Sequence, residues 1–220
     1  MKKKKILFDT LMFLPLLATL VALPFLPEQI PAHYGFDNQV TRWGSKYEAL
    51  AYPAATVCMG LFFIGMAKWT ARQEKDGHNN ENVLFAAGSA TLLMFNVMNL
   101  YALYTDFCRI ENLSSVSPDI YRVFAGLLGV FMVVTGNVMP KLRKNSMIGL
   151  RTKWSMQDEE TWKKCQRFGG ISFLFGGVAI LLLCVWIKGM SCFAGAMGVV
   201  AILLVVDIIY TYQAAKSEKK

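Results

Sequence analysis

Six stretches of this chain are apolar for long enough to cross a bilayer: Ile6–Leu26, Leu50–Ala67, Val83–Tyr104, Ile120–Met139, Ile171–Ile187 and Phe193–Tyr212. A helix rises 1.5 Å per residue, so roughly 20 residues cross about 30 Å of hydrocarbon, and runs of this length leave few alternatives to membrane-spanning helices. Composition agrees, since 55% of the 220 residues are hydrophobic and only 17% are charged, against about 25% charged in soluble domains. The fold class that follows is all-α, a polytopic membrane helical bundle with six transmembrane helices. The first run follows the basic stretch Lys2–Lys5, as in a signal peptide, but it is long and no small-residue cleavage site precedes Pro27. It reads as an uncleaved helix.

The net charge of +8 sets orientation once it is sorted by side. With the N-terminus inside, 18 of the 23 basic residues fall on the inner side: Lys2–Lys5; Lys68, Arg72 and Lys75; Lys141, Arg143, Lys144, Arg151, Lys153, Lys163, Lys164 and Arg167; and Lys216, Lys219 and Lys220. Five (Arg42, Lys46, Arg109, Arg122 and Lys188) remain outside. The bias puts both termini in the cytoplasm. Anionic inner-leaflet lipid accounts for the basic excess, so membrane lipid is the expected partner and no direct nucleic-acid binding is called for. The pairs Ala86/Ala90, Ala125/Gly129 and Ala194/Gly198 have the spacing that lets helices approach closely.

Within the apolar runs the acids are Asp9 and Asp207. Asp9 lies near the basic N-terminus, where helix dipole and lysines favour it. Asp207 has no basic neighbour in its run and must face the bundle, a water-filled crevice or a proton. Asn96, Asn99 and Asn137 are suited either to hydrogen bonds between helices or to a polar transport path. The five cysteines (Cys58, Cys108, Cys165, Cys184 and Cys192) form no CxxC pair and have no histidine partner nearby. They read as packing or surface thiols, with a Cys108–Cys192 bridge open because both fall on one side. No nucleophile–base pair, phosphate loop or metal-ligand cluster is present, so the reading is not an enzyme, with no metal and no cofactor.

Two loops are richer than connectors. The outer segment PEQIPAHYGFDNQVTRWGSKYE, Pro27–Glu48, has two prolines that stiffen it, two glycines that permit turns, and the aromatics Tyr34, Phe36, Trp43 and Tyr47, which suit a small cap at the membrane interface. His33, Tyr34, Asp37, Trp43 and Lys46 are its candidate binding residues. His33 and Asp37 alone fall short of a metal site, and structural hydrogen bonding by His33 is the plainer reading. The inner segment Lys141–Gly170 has eight basic and three acidic residues. Ser155 with Asp158 makes a capping pair, and Glu159/Lys163 and Glu160/Lys164 have helical spacing. This suggests an amphipathic helix on the inner surface, turning into the fifth span at Gly169 and Gly170. Trp162, Cys165 and Phe168 would face lipid or bundle, while Asn145, Gly149, Arg151 and Trp154 lie upstream in a non-periodic stretch suited to anchoring or to a lipid phosphate or partner.

The inner string NSMIGLRTKWSMQDEETWKKCQRFGG resembles the motif of the SdpI family of bacterial membrane proteins, through Asn145, Gly149, Arg151, Thr152, Trp154, Trp162, Arg167 and Gly170. It departs from that motif at Lys153, where proline is usual, at Ser155 and at Gln166. The outer string resembles the DUF1648 module through Leu26, Pro27, Ile30, Pro31, His33, Gly35 and Lys46. The resemblance divides the chain into residues 1–70 (a DUF1648-like module), 71–119 (the third span and its flanks) and 120–220 (an SdpI-like module). It implies immunity in the cell membrane: protection from a secreted toxic peptide met on the outer face and, in some members, a cytoplasmic repressor held on the inner face. The rival reading is a small-solute or peptide transporter using Asp207 with Asn96, Asn99 and Asn137. The charge sorting itself predicts that a periplasm-type reporter inserted at Asp37 is active and one at Lys153 is silent, while a fluorescent protein fused after Lys220 folds and glows. The reverse pattern would invert the topology.

Overall fold

The computed structural model describes residues 2–35, 37–73 and 78–217. Phe36, Lys75, Lys219 and Lys220, which entered the sequence reading, lie outside the described residues. Six helices are long and apolar enough to cross a membrane: α1 Lys2–Ala22, α2 Ala51–Ala71, α3 Asn79–Phe107, α4 Ile120–Val138, α5 Glu159–Trp186 and α6 Gly189–Ser217. Between α1 and α2 a two-stranded antiparallel hairpin, β1 Gln29–Tyr34 and β2 Val40–Ser45, interrupts the helical pattern. The helices distribute over two compact units. The first comprises Met1–Phe62 with Thr91–Ile120, and the second Phe63–Ala90 with Tyr121–Lys220.

In the first unit the intramembrane carboxamides join helices. Asn96 donates to the Leu11 carbonyl of α1 at 2.8 Å and to Leu92 of its own helix at 2.7 Å. Asn99 and Thr19 exchange hydrogen bonds at 3.2 and 3.3 Å. Both asparagines are buried, so they act as links between α1 and α3, where water is scarce and unmet polar groups are costly. On α2, Gly60 leaves room for Met12 of α1. Leu26, Ile30, Ala49 and Leu103 make a small core beneath the hairpin.

The second unit rests on close backbone contact between α4 and α5. A Cβ on Gly136 would lie 2.6 Å from the Gly170 carbonyl oxygen, and one on Gly177 2.6 Å from that of Gly129. Glycine at these places lets two helices approach to a separation that any side chain would forbid. Gly176 similarly accommodates Leu203 of α6. Ala125, Met132, Ile180, Cys192 and Ala196 form the core between the three helices. Arg122 near the start of α4 clamps the Cys184 carbonyl of α5 with two donors, at 2.9 and 2.6 Å.

Several expectations need correction. α5 is one continuous helix from Glu159, with no turn at Gly169 and Gly170. Those glycines are buried packing positions, Gly170 against Gly136 and Pro140, so the anticipated surface helix is simply the first turns of the fifth span. Its N-cap is Asp158 alone, whose carboxylate accepts from the Thr161 amide and hydroxyl at 2.8 Å each. Ser155 is taken up inside the loop instead. Of the charged pairs only Glu160–Lys164, at 3.3 Å, forms an ion pair among the described residues. Ala194 and Gly198 are exposed rather than packed, and Asn137 is exposed too. The Cys192 thiol sits 3.5 Å from the Cys184 sulfur, and Cys108 is a free, exposed thiol.

Bulk at the glycine contact is destabilising, since overpacking costs about 1–3 kcal/mol. Gly136→Val and Gly170→Val should each lower the thermal midpoint of the detergent-solubilised protein, whereas Gly198→Val, which meets open space, should leave it unchanged. Asp158 gives a pH signature. Its hydrogen bonds from Thr161 hold its carboxyl below the ordinary 3.8, so the stabilisation is present above that value and is lost as pH falls through the lower folded value. Asp158→Asn keeps a capping acceptor without the titration, and should flatten the acid limb of the midpoint-versus-pH curve.

Candidate functional site

The inner motif is built on side-chain amides that replace missing backbone partners. After α4 the chain makes one 3-10 turn, Met139–Lys141, and then runs without regular helix or strand to Asp158. Asn145, buried, accepts from the Met147 and Ile148 amides at 2.8 Å each and donates to the Arg143 and Ile148 carbonyls at 2.9 and 3.3 Å. Gln166 on α5 pairs with both backbone groups of Leu150, accepting at 2.9 Å and donating at 3.1 Å. Trp162 is fully buried and donates its indole N–H to the Leu142 carbonyl at 2.9 Å. Gly149 has φ +101°, and a Cβ there would meet the Gln166 amide oxygen at 2.6 Å. Glycine is therefore required at this turn both by conformation and by space.

The second half of the motif is closed in the same way. The Thr152 amide donates to Ser155 Oγ at 2.9 Å, the Ser155 amide donates to Thr152 Oγ1 at 3.0 Å, and the Ser155 hydroxyl donates to the Leu150 carbonyl at 2.8 Å. Thr152 reaches α6 through its hydroxyl bond to Thr211, 3.0 Å, and Trp154 meets Tyr212 edge-on with ring centroids 5.3 Å apart. Phe168 stacks on Tyr210 at 3.8 Å, so the three-residue spacing Trp162, Cys165, Phe168 faces protein. Two residues outside the motif complete the loop. Gln73 holds Ser146 by two bonds of 2.8 Å, and Asn80 accepts from the Arg143 amide at 2.9 Å.

What the scaffold leaves outward is charge. Arg143, Arg151, Lys163 and Arg167 are exposed, and none of their side chains makes a hydrogen bond or ion pair among the described residues. Lys153, the departure from the usual proline, lies over the Trp154 ring at 5.0 Å. Thus Asn145, Gly149, Thr152 and Trp162 shape the loop, Trp154 docks it, and Arg151 and Arg167 project from it.

The outer candidates are also brought together, by a different logic. Tyr34 donates to the Ile110 carbonyl at 2.7 Å, the Val40 amide donates to Glu111 at 2.9 Å and the Leu113 amide to Asn38 at 3.0 Å. The segment after α3 is thereby stitched to the hairpin, with Asn38 at φ +62° at the turn. Burial raises the Tyr34 phenol above its ordinary range; the Thr105 hydroxyl opposes this and the Asp106 carboxylate adds to it. Trp43 is half-buried beneath the Arg109 guanidinium, 5.0 Å from its ring. Lys46 is paired with Glu28 at 2.8 Å, and Arg42 with Glu48 at 2.7 and 3.0 Å. His33 meets Thr41 at 2.6 Å, and Asp37 accepts from the Gln39 amide at 3.1 Å. No group of three or more metal-ligating side chains forms among the described residues.

Asp207 is 1% exposed, and one of its carboxylate oxygens has no hydrogen-bond partner among the described residues. The buried Asn96 and Asn99 are occupied by the α1–α3 links, and Asn137 is exposed. The sequence reading missed a further acid, Asp106. The third span was taken to end at Tyr104, but α3 continues to Phe107 and Asp106 is only 5% exposed. Arg109, Gln73 and Asn80 also went unnoticed, because their roles depend on contacts made by residues distant in sequence.

Residues 141–211 match the SdpI/YfhL protein family, and residues 10–57 match a domain of unknown function, DUF1648. The Immunity protein SdpI of Bacillus subtilis (strain 168) is 25% identical over 182 residues, covering 82% of this chain and 81% of that protein. No solved structure matches. The two matched segments take in the hairpin and the amide-closed loop, and with six helices able to span the bilayer the chain is a multi-pass cell-membrane protein similar to the SdpI/YfhL family over residues 141–211.

Proposed function

We propose that the protein confers immunity, protecting the cell that makes it from a secreted killing peptide at the membrane. The observation that carries this reading is the similarity to an immunity protein, which extends over most of both chains, while the two matched family segments take in both elaborated loops. The hairpin, with its aromatic and ion-paired surface, is the face for the peptide. His33, Tyr34, Asp37, Trp43 and Lys46 are its contact residues or their supports.

The motif loop is the face for a cytoplasmic partner. Its interior is hydrogen-bonded throughout, so substitutions there act on shape, whereas Arg151 and Arg167 reach outward with unengaged guanidinium groups. Such groups suit the carboxylates of a repressor protein or the phosphates of inner-leaflet lipid. The loop bonds directly to α6 at Thr211. The transporter reading loses support from Asn96 and Asn99, whose donors are committed between helices.

The test is survival. A sensitive Gram-positive host expressing the protein is challenged with candidate killing peptides, and membrane levels are checked for every variant. Wild type and Asp207→Asn should survive, while Trp43→Ala should lose protection by an order of magnitude or more in the peptide dose tolerated. Arg151→Ala should keep the dose tolerated but lose any transcriptional response. A transporter gives the opposite ranking, with Asp207→Asn the most damaged. Unprotected cells carrying well-inserted wild type, across all peptides, would overturn immunity.

A further inference from the structure

The hairpin unit contains a buried acid that no basic group answers. Asp106 is 5% exposed and sits in the last turn of α3, Asn79–Phe107. The carbonyl end of a helix is itself negative, so a carboxylate there is doubly unfavourable without a cation. The basic side chains of the hairpin and its neighbouring segment are used elsewhere: Arg42 on Glu48, Lys46 on Glu28, Arg109 over Trp43. The Asp106 carboxylate makes no hydrogen bond or ion pair among the described residues. The phenols of Tyr34 and Tyr52 lie within electrostatic reach of Asp106, and that of Tyr101 lies within reach of Tyr34 and of Asp119. A second observation is independent of the first: the Tyr101 hydroxyl is buried with no hydrogen-bond partner among the described residues.

The geometry points to a cation-recognition site in which Asp106, at the negative end of α3, and the surrounding tyrosines receive one ammonium or guanidinium group of a peptide that reaches the hairpin face. This rests on the immunity reading and specifies its ligand chemistry. Carboxylate, helix carbonyl end and aromatic faces all attract the same kind of group, and aromatic rings bind cations best where water is excluded. Tyr52 is 39% exposed and Tyr34 half-buried, so the acid is screened from solvent yet bordered by side chains that reach the surface. A long basic side chain can enter such a place with its stem against the rings and its head on the acid.

The experiment uses the full-length protein in detergent micelles and a hydrophobic carbodiimide, which modifies carboxyl groups in apolar surroundings. Mass spectrometry reads modification at Asp106, with Asp207 as internal reference and Asp106→Asn to assign the peptide. Millimolar guanidinium chloride should reduce modification of Asp106 several-fold while Asp207 is unchanged and sodium chloride at equal strength has no effect. Tyr101→Phe should keep the modification and weaken the protection. Modification that is indifferent to guanidinium would make Asp106 a protonated structural group, and equal protection by sodium would make it a small-ion site; either overturns the inference. Survival of challenged cells separates this from the function. Protection by guanidinium together with undiminished survival of Asp106→Asn cells would leave a cation site but remove its role in peptide recognition. Failure of the wild type to protect cells would sink immunity and leave the chemical result standing.

Discussion

Backbone amides and carbonyls that leave a helix near a bilayer must find partners within the chain, because neither lipid nor a dry interior provides them. In this protein, side-chain carboxamides meet that requirement. Asn145 satisfies four backbone groups of the motif loop, Gln166 both groups of Leu150, and Gln73 and Asn80 one amide each. An irregular segment thereby acquires the order of a helix. Trp162 fixes this order to α5 by its one N–H, with its ring filling the core formed with Val83, Met139 and Leu142. Removing the amide of Asn145 or of Gln166 would orphan more than one backbone group at once, each costing about 1–3 kcal/mol where buried.

The same requirement explains which parts of the structure were legible in the sequence. Helices satisfy their own backbone, and hydrophobic length alone located all six; the charge sorting grouped the hairpin with the segment after α3, which the structure stitches together. The motif residues could be named from resemblance, but their division into shape-makers and outward charges could not, because it depends on pairings such as Gln166 with Leu150, 16 residues apart. Gln166 illustrates the point. In the sequence it was a departure from the family pattern, whereas in the fold its amide closes the loop. Ser155 was misassigned for a related reason: a hydroxyl three residues before an acid fits a helix cap, but here that hydroxyl serves Leu150 and Thr152.

Helix ends were the other weak point, and they mattered most at α3. Tyrosine, threonine and aspartate after Leu103 lower the hydropathy enough to end an apolar run, although the helical hydrogen bonds continue to Phe107. Asp106 thus falls beyond the apolar run Val83–Tyr104 and outside the acids that hydropathy picks out. The opposite error at α5 extended the loop at the expense of a helix. The polar first turns from Glu159 do not resemble a span, yet Trp162, Cys165 and Gln166 are as buried as residues further along it.

The two loops differ most in how their cations are used. At the hairpin, Arg42, Lys46 and Arg109 are engaged by Glu48, Glu28 and Trp43, while the buried Asp106 meets no counter-charge among the described residues. In the motif loop Asn145 and Gln166 are paired with backbone, and Arg143, Arg151, Lys163 and Arg167 are exposed with no ion pair among the described residues. A surface whose cations are already paired has little to offer an anion, and a buried unanswered acid favours a cationic visitor. Free guanidinium groups on a stiff scaffold favour carboxylate or phosphate, at a lower entropic cost than flexible ones would incur. Opposite electrostatic needs at the two loops are what a protein requires if it is to take a basic peptide at one and an acidic protein or lipid at the other without the two ligands competing for the same surface.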